Sequence, residues 1–307
     1  MESYTNPVFY RGNDPYVVFG GGKYYYFFSV ENGVAVAEIK SPYRITEEGA
    51  AVVYRAPESG PYSHEYWAPE LHFINGKWYI YVAADDGSNH NHRMYVLEAE
   101  TSSPLGSFRM AGKISDPSDK WAIDGTVMLH GGELYFIWSG WEGDTNVAQN
   151  IYIAKMDSPV SVSSKRVLLS KPEYPWETVG KPLINEGPAV LKAGGRLFVA
   201  YSASGSWTDD YCLGLLTFKG PDALDAKCWE KSEVPVFSKA EGSFGPGHCS
   251  FVSSPDGKTT YIVYHANLIS GTGWAGRSVR VQKVGFSEDG SPVFGVPAAL
   301  GETIYAD

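Results

Sequence analysis

Leu71-His72-Phe73-Ile74, Asn75-Gly76, Lys77-Trp78-Tyr79-Ile80-Tyr81-Val82-Ala83 reads as an apolar run, a two-residue turn and an aromatic-rich run. Asn-Gly accepts the positive φ that a tight hairpin requires, so the stretch predicts two antiparallel strands. The same unit returns on either side of it. Its copies are residues 15–19, 20–22 and 23–29, then 126–129, 131–132 and 133–139. Two more follow at 189–191, 194–195 and 196–202, and at 250–252, 256–257 and 258–265. Lys23, Lys77, Glu133, Arg196 and Lys258 open the second strands, spaced 54, 56, 63 and 62 residues apart. Third strands are predicted at 34–39, 94–99, 151–155, 213–218 and 279–284, with weaker fourth strands at 51–54 and 167–169. Helical periodicity is nearly absent; 222–229 has room for one short turn. Five repeats of three to four antiparallel strands predict an all-β fold, a five-bladed β-propeller forming one catalytic domain over residues 1–307. A β-sandwich is the alternative, but it gives no reason for so regular a period.

Composition narrows the function. Hydrophobic residues make up 43% of the 307, enough for a substantial core, and 35 acidic against 25 basic residues give a formal charge of −10. With no basic cluster, neither nucleic acid nor an anionic membrane is an expected partner. The 9 Trp, 21 Tyr and 14 Phe suit strands and, where exposed, platforms for flat ligand faces. Cys212, Cys228 and Cys249 are odd in number and have no CxxC spacing, so at least one thiol is free. Residues 1–10 have neither a basic nor an apolar signal region. A cytoplasmic location is therefore expected, with secretion after removal of a leader as the alternative.

Five polar residues recur just before or at the start of the first strand of each repeat: Asp14, Glu70, Asp124, Glu186 and His248, spaced 56, 54, 62 and 62 apart. First strands line a propeller's central channel, so this register predicts that all five ring one end of it. Taken singly each has an ordinary reading, as a turn residue, a strand cap or a core histidine; what they share is the period. Carboxyl groups facing across a pocket suit glycosidic bond hydrolysis, one protonating the leaving oxygen and one handling water. A third acid nearby helps keep the proton donor protonated. Trp67, Trp121, Trp207 and Trp274 fall near the same end and are candidates for stacking on sugar rings.

Gly12-Asn13-Asp14-Pro15, Tyr66-Trp67-Ala68-Pro69-Glu70, Trp121-Ala122-Ile123-Asp124-Gly125-Thr126, Asn185-Glu186-Gly187-Pro188, Gly245-Pro246-Gly247-His248 and Gly276-Arg277 occur in this order. Together they resemble glycoside hydrolase family 43, specifically its α-L-arabinofuranosidases, over almost the whole chain. The resemblance implies hydrolysis with inversion, Asp14 as general base, Glu186 as general acid and Asp124 as the residue that orients and tunes the acid. It implies that Arg277 contacts the sugar and the acid and that His248 sits in the channel; with Trp67 and Trp121, placed by their position, these are the substrate-binding candidates. It also implies that no cofactor is required for the chemistry, with a calcium ion near His248 in the channel as an accompanying expectation. The expected function is exo-acting removal of terminal arabinofuranosyl residues from arabinan, arabino-oligosaccharides or arabinoxylan side chains. Alternatives are a β-xylosidase, an endo-arabinanase or a non-catalytic glycan-binding propeller. With about 20 residues after the last repeat strand, the C-terminal sandwich usual in the β-xylosidases is not expected, and Gly125-Thr126 departs from the proline typical of endo-arabinanases. A sialidase-like propeller fits less well, because an Asp-box-like turn occurs only once, at 254–257.

Overall fold

Every predicted hairpin is present in the computed structural model, which describes residues 2–306, and each one opens a blade. The first blade comprises Tyr16–Gly20, Lys23–Val30, Gly33–Ile39 and Ala51–Arg55. The second comprises His64–Ile74, Lys77–Asp85, Arg93–Ala99 and Phe108–Ile114. Ala122–His130, Glu133–Gly140, Ala148–Ser158 and the outer Val167–Ser170 form the third. Leu183–Ala193, Arg196–Ala203, Cys212–Phe218 and Trp229–Lys231 form the fourth. The fifth has three strands, Phe244–Ser253, Thr260–Asn267 and Arg277–Lys283. Within each blade successive strands pair antiparallel; the third and fourth blades are also joined by a short parallel bridge, Ala148 to Leu183 and Gln149 to Ile184. No α-helix occurs among the described residues, and the turn expected at 222–229 is a 3-10 turn, Ala226–Cys228.

The near-continuous apolar reading of the second strands has a simple cause. Side chains alternate across a strand, and in a propeller both faces of a blade meet a neighbour. In Lys77–Asp85, Trp78, Ile80, Val82 and Ala84 pack with Phe27 and Val36 of the first blade. Tyr79, Tyr81 and Ala83 pack with Phe136 and Tyr152 of the third. Five hydrophobic clusters among the described residues correspond to the five blade–blade contacts. Full burial of each large apolar side chain contributes roughly 1.5–3 kcal/mol, so the ring is held mainly between blades. A β-sandwich would have two facing sheets instead.

The innermost strands carry one further regularity. Between Trp67 and Glu70, Ile123 and Thr126, Glu186 and Ala189, and Gly247 and Ser250, the inner strand advances three residues while its partner advances two. These are β-bulges. At them Ala68, Asp124, Gly187 and His248 have positive φ (44°, 55°, 54° and 44°), and Asp14 (48°) takes the same place ahead of Tyr16. The true structural equivalents are thus Asp14, Ala68, Asp124, Gly187 and His248. Glu186 sits one residue before its bulge. Glu70 sits two residues after its own, and this overturns the expectation that it joins the other four. It lines a separate cavity of about 360 Å³, shared with Tyr16, Thr126, Ala189 and Ser250, paired to His72 at 2.9 Å, and acts on Asp124 only through its charge.

The ring closes through its N-terminal segment. Phe9 bridges to Val279 on the last strand of the fifth blade, and Ser3–Tyr4 pairs with Ile304–Tyr305. Between them the buried Asn6 side chain imitates a strand, donating to the Val281 carbonyl (2.8 Å) and accepting from its amide (2.9 Å). Asn6→Ala strands both backbone groups and should cost about 2–4 kcal/mol of unfolding free energy. The measurement is the urea midpoint at unchanged m-value.

Candidate active site

The bulges turn three charged side chains into one end of the channel, and the amides they free are caught by the preceding blade. Asp14 N–H donates to Nδ1 of His265 (3.1 Å), Gly187 N–H to Oδ2 of Asp124 (3.0 Å), and His248 N–H to Oγ of Ser202 (2.8 Å). Gly187 is required twice over: its φ is positive, and a Cβ there would lie 3.2 Å from the His248 ring. Nδ1 of His248 stands 3.2 Å from Oδ1 of Asp14 and 3.9 Å from Oδ2 of Asp124. Arg277 reaches Oδ1 of Asp14 at 3.4 Å and the Ser206 carbonyl at 3.2 Å. Among the expected acid and base it therefore pairs with Asp14, not with Glu186. Oε1 of Glu186 accepts from the Tyr211 hydroxyl at 2.8 Å.

These neighbours drive the two outer carboxyls in opposite directions. Burial opposes the Asp14 charge, but His248 and Arg277 outweigh it, helped by the Asn13 amide at 2.9 Å, and hold the carboxyl well below the usual range. Glu186 is pushed up to about 7 by burial and then by the charge of Asp124. Asp124 is itself raised, by burial and by Asp14, against the pull of His248 and the Gly187 amide. Asp124 and Glu186 thus compete for one proton. Glu186 is its holder, because Asp124 accepts a backbone N–H and faces His248, both of which favour its ionised form. Burial disfavours a charged His248, but Asp14, Asp124 and Glu186 together raise its proton affinity. The site thus sets a carboxyl that favours its charge, Asp14, beside Arg277 and a His248 of raised proton affinity, opposite a carboxyl, Glu186, that holds its proton up to about 7.

Around these groups opens a cavity of about 460 Å³ walled by loops from all five blades. Trp67 stands on one side, stacked on His92 (4.0 Å between ring centres) with its indole N–H on Glu65. His92 is fully buried, 3.0 Å from the carboxylate of the equally buried Asp85. Trp121 is placed differently from an open platform. Its ring is 3% exposed, stacked on Trp141 and hydrogen-bonded to the Asn89 carbonyl, so it backs the wall. Trp207 and the 62%-exposed Trp274 meet edge to face at the opposite rim. Tyr211, His265 and the Asp85–His92 pair escape a reading by repeat, since all lie outside the innermost strands; His92 and Tyr211 each precede the third strand of their blade, but their different residue types hide the equivalence.

The expected calcium finds a poor set of donors. Asp124, Glu186 and His248 each bring one atom within 4.8 Å of the others. A hard cation requires six to eight oxygens, whereas this set offers one nitrogen, a carboxylate engaged with a backbone amide and a carboxyl that keeps its proton. These residues do not fit calcium, and no step runs through it.

Comparison with known proteins agrees with the geometry. Residues 4–292 match the family described as Glycosyl hydrolases family 43. An extracellular exo-α-(1→5)-L-arabinofuranosidase of Streptomyces avermitilis is 38% identical over 98% of this chain, which spans 65% of that relative's length. A protein of the same name from Streptomyces chartreusis is 32% identical over 86% of this chain and 82% of its own. The crystal structure of an α-L-arabinofuranosidase from Lactobacillus brevis superposes with a TM-score of 0.90 at 36% identity, covering 97% and 98% of the two chains. Relatives named extracellular overturn the expectation of a cytoplasmic protein. That expectation rested partly on free thiols, and all three cysteines are buried, where they pack as small apolar groups and report nothing about redox compartment.

Asp124→Asn removes the like charge beside Glu186 and should lower the pH at which Glu186 titrates, as followed by the side-chain carboxyl signal in ¹³C NMR. An unchanged midpoint would mean that burial alone sets it.

Proposed function

The chain belongs to glycosyl hydrolases family 43, and on that premise we propose that it is an inverting, exo-acting α-L-arabinofuranosidase. It removes terminal arabinofuranosyl residues from arabinan and arabino-oligosaccharides, and residues 1–307 act as one catalytic domain. One observation carries the reading: Glu186 and Asp14 line a single cavity, the first with its proton affinity raised by burial and Asp124, the second with its own held down by His248 and Arg277 against burial. Asp14 takes a proton from water as the water oxygen attacks the anomeric carbon. Glu186 gives its proton to the departing glycosidic oxygen as that bond breaks. Asp124 keeps Glu186 protonated, and His248 and Arg277 hold Asp14 ionised and in place. Trp67 offers a face to the sugar, backed by His92, which Trp121 meets edge-on in turn, and Arg277 lies within reach of the sugar hydroxyls. Walls contributed by every blade make a cup at the channel mouth and support attack at chain ends over attack along a groove. The arabinose specificity rests on the named relatives, as does the α-(1→5) linkage.

Single displacement needs the two carboxyls separated by roughly 6.5–9.5 Å to admit water. Its product is therefore β-arabinofuranose in the first seconds of reaction, read by ¹H NMR; an α product means retention and removes Asp14 as base. Glu186→Ala should cost about 10²–10⁴-fold on arabinobiose but far less on an aryl arabinofuranoside whose leaving group needs no proton. Because calcium has no step here, treatment with EDTA should leave kcat/KM unchanged.

A further inference from the structure

We infer that Tyr211 is the positioning residue of the reaction, a hydroxyl that sets the acid strength of Glu186 and fixes which of its oxygens carries the proton. This rests on the reading of Glu186 as proton donor.

Tyr211 is fully buried just ahead of the third strand of the fourth blade, and its hydroxyl donates to Oε1 of Glu186 at 2.8 Å. A donor fixed on Oε1 leaves the acid proton to Oε2, so only one oxygen can serve the leaving group. Two packings hold the phenol there. Its ring lies nearly parallel to that of His265, with 6° between planes and 5.7 Å between centres. On another side Gly247 leaves the space that a Cβ would fill, 2.4 Å from the Tyr211 ring. His265 is itself 1% exposed and accepts the Asp14 amide, which keeps Nδ1 unprotonated. One stacked pair therefore touches both sides of the reaction, Glu186 through the phenol and the Asp14 backbone through the imidazole.

The charge balance makes the hydroxyl consequential. Asp124, Asp14, His248 and the phenol itself act on Glu186, the first two raising its proton affinity and the last two lowering it. The charge of Arg277 in turn acts on Tyr211. A hydrogen bond donated to a carboxyl stabilises its ionised form. The Tyr211 bond thus tempers an acid that burial and Asp124 would otherwise make too weak to release its proton.

The test is the pH dependence of kcat/KM for Tyr211→Phe on arabinobiose and on an aryl arabinofuranoside, with the melting temperature recorded. The expected result is a basic limb moved to higher pH and kcat on arabinobiose reduced about tenfold, the rate equivalent of one lost hydrogen bond. The aryl substrate should lose little, and KM should change little on either. A second variant carries the opposite sign: Tyr211→3-fluorotyrosine, a stronger donor, should move the basic limb to lower pH. A limb that stays in place in both variants, or a lowered melting temperature with an unmoved limb, overturns the proposal and leaves Tyr211 as packing. If the unaltered protein releases no arabinose from either substrate, the arabinofuranosidase reading itself has failed, an outcome distinct from these.

Discussion

One equivalent residue in or just ahead of each innermost strand is held at positive φ, and the placement of Asp14, Asp124, Glu186 and His248 follows from it. Four of those five residues carry a side chain, so the backbone there is strained, by an amount of order 1–3 kcal/mol per non-glycine residue. The strain persists because the surroundings leave no alternative: the strands on either side are pinned in two blade interfaces at once. Each bulge also frees an amide. At Asp14, Gly187 and His248 that amide goes to a side chain of the blade before it, so the interblade contacts continue into the site as hydrogen bonds. Fold and catalytic geometry here are one set of interactions.

The same arrangement imposes a cost in stability. A carboxyl with raised affinity in the folded state binds a proton more tightly than the unfolded chain does, so stability falls as pH rises through the interval between the two values. Glu186 and Asp124 contribute in that sense as pH rises from the ordinary carboxyl range towards neutrality. Asp14 works the other way, with stability present above its ordinary value and lost as pH falls towards its depressed one. The site sets these groups against each other, and the apolar contacts between blades must outweigh the difference.

Much of this is legible in the sequence because the propeller repeats. Asn75-Gly76 and its four counterparts announce hairpins at a fixed period, and the period gives the blade count without any knowledge of the blades' packing. The period also found Asp14, Asp124, Glu186 and His248, but it resolves position only to a residue or two. A bulge adds one residue to one strand, and side chains reverse face with every step. Glu70 fell on the wrong side of that limit and lines a different cavity. Trp121 shows a different limit: an aromatic beside a site reads alike whether it is a platform or backing. Tyr211 and His265 were invisible because they lie in or beside second and third strands, where equivalent positions carry different residue types: His265 and Ser202 both accept an amide of the next blade, yet nothing in their identity shows it.

Asn6 and its partner on Val281 are separated in sequence by 275 residues, and Asp14 meets Arg277 across almost the same interval. A chain emerging from the ribosome can pair strands blade by blade, since each blade is local. It cannot seat the base beside its arginine until the fifth blade has emerged. The first blade must wait for the fifth, and a nascent or truncated chain with four blades folded would still present an Asp14 without the His248, His265 and Arg277 that hold it charged.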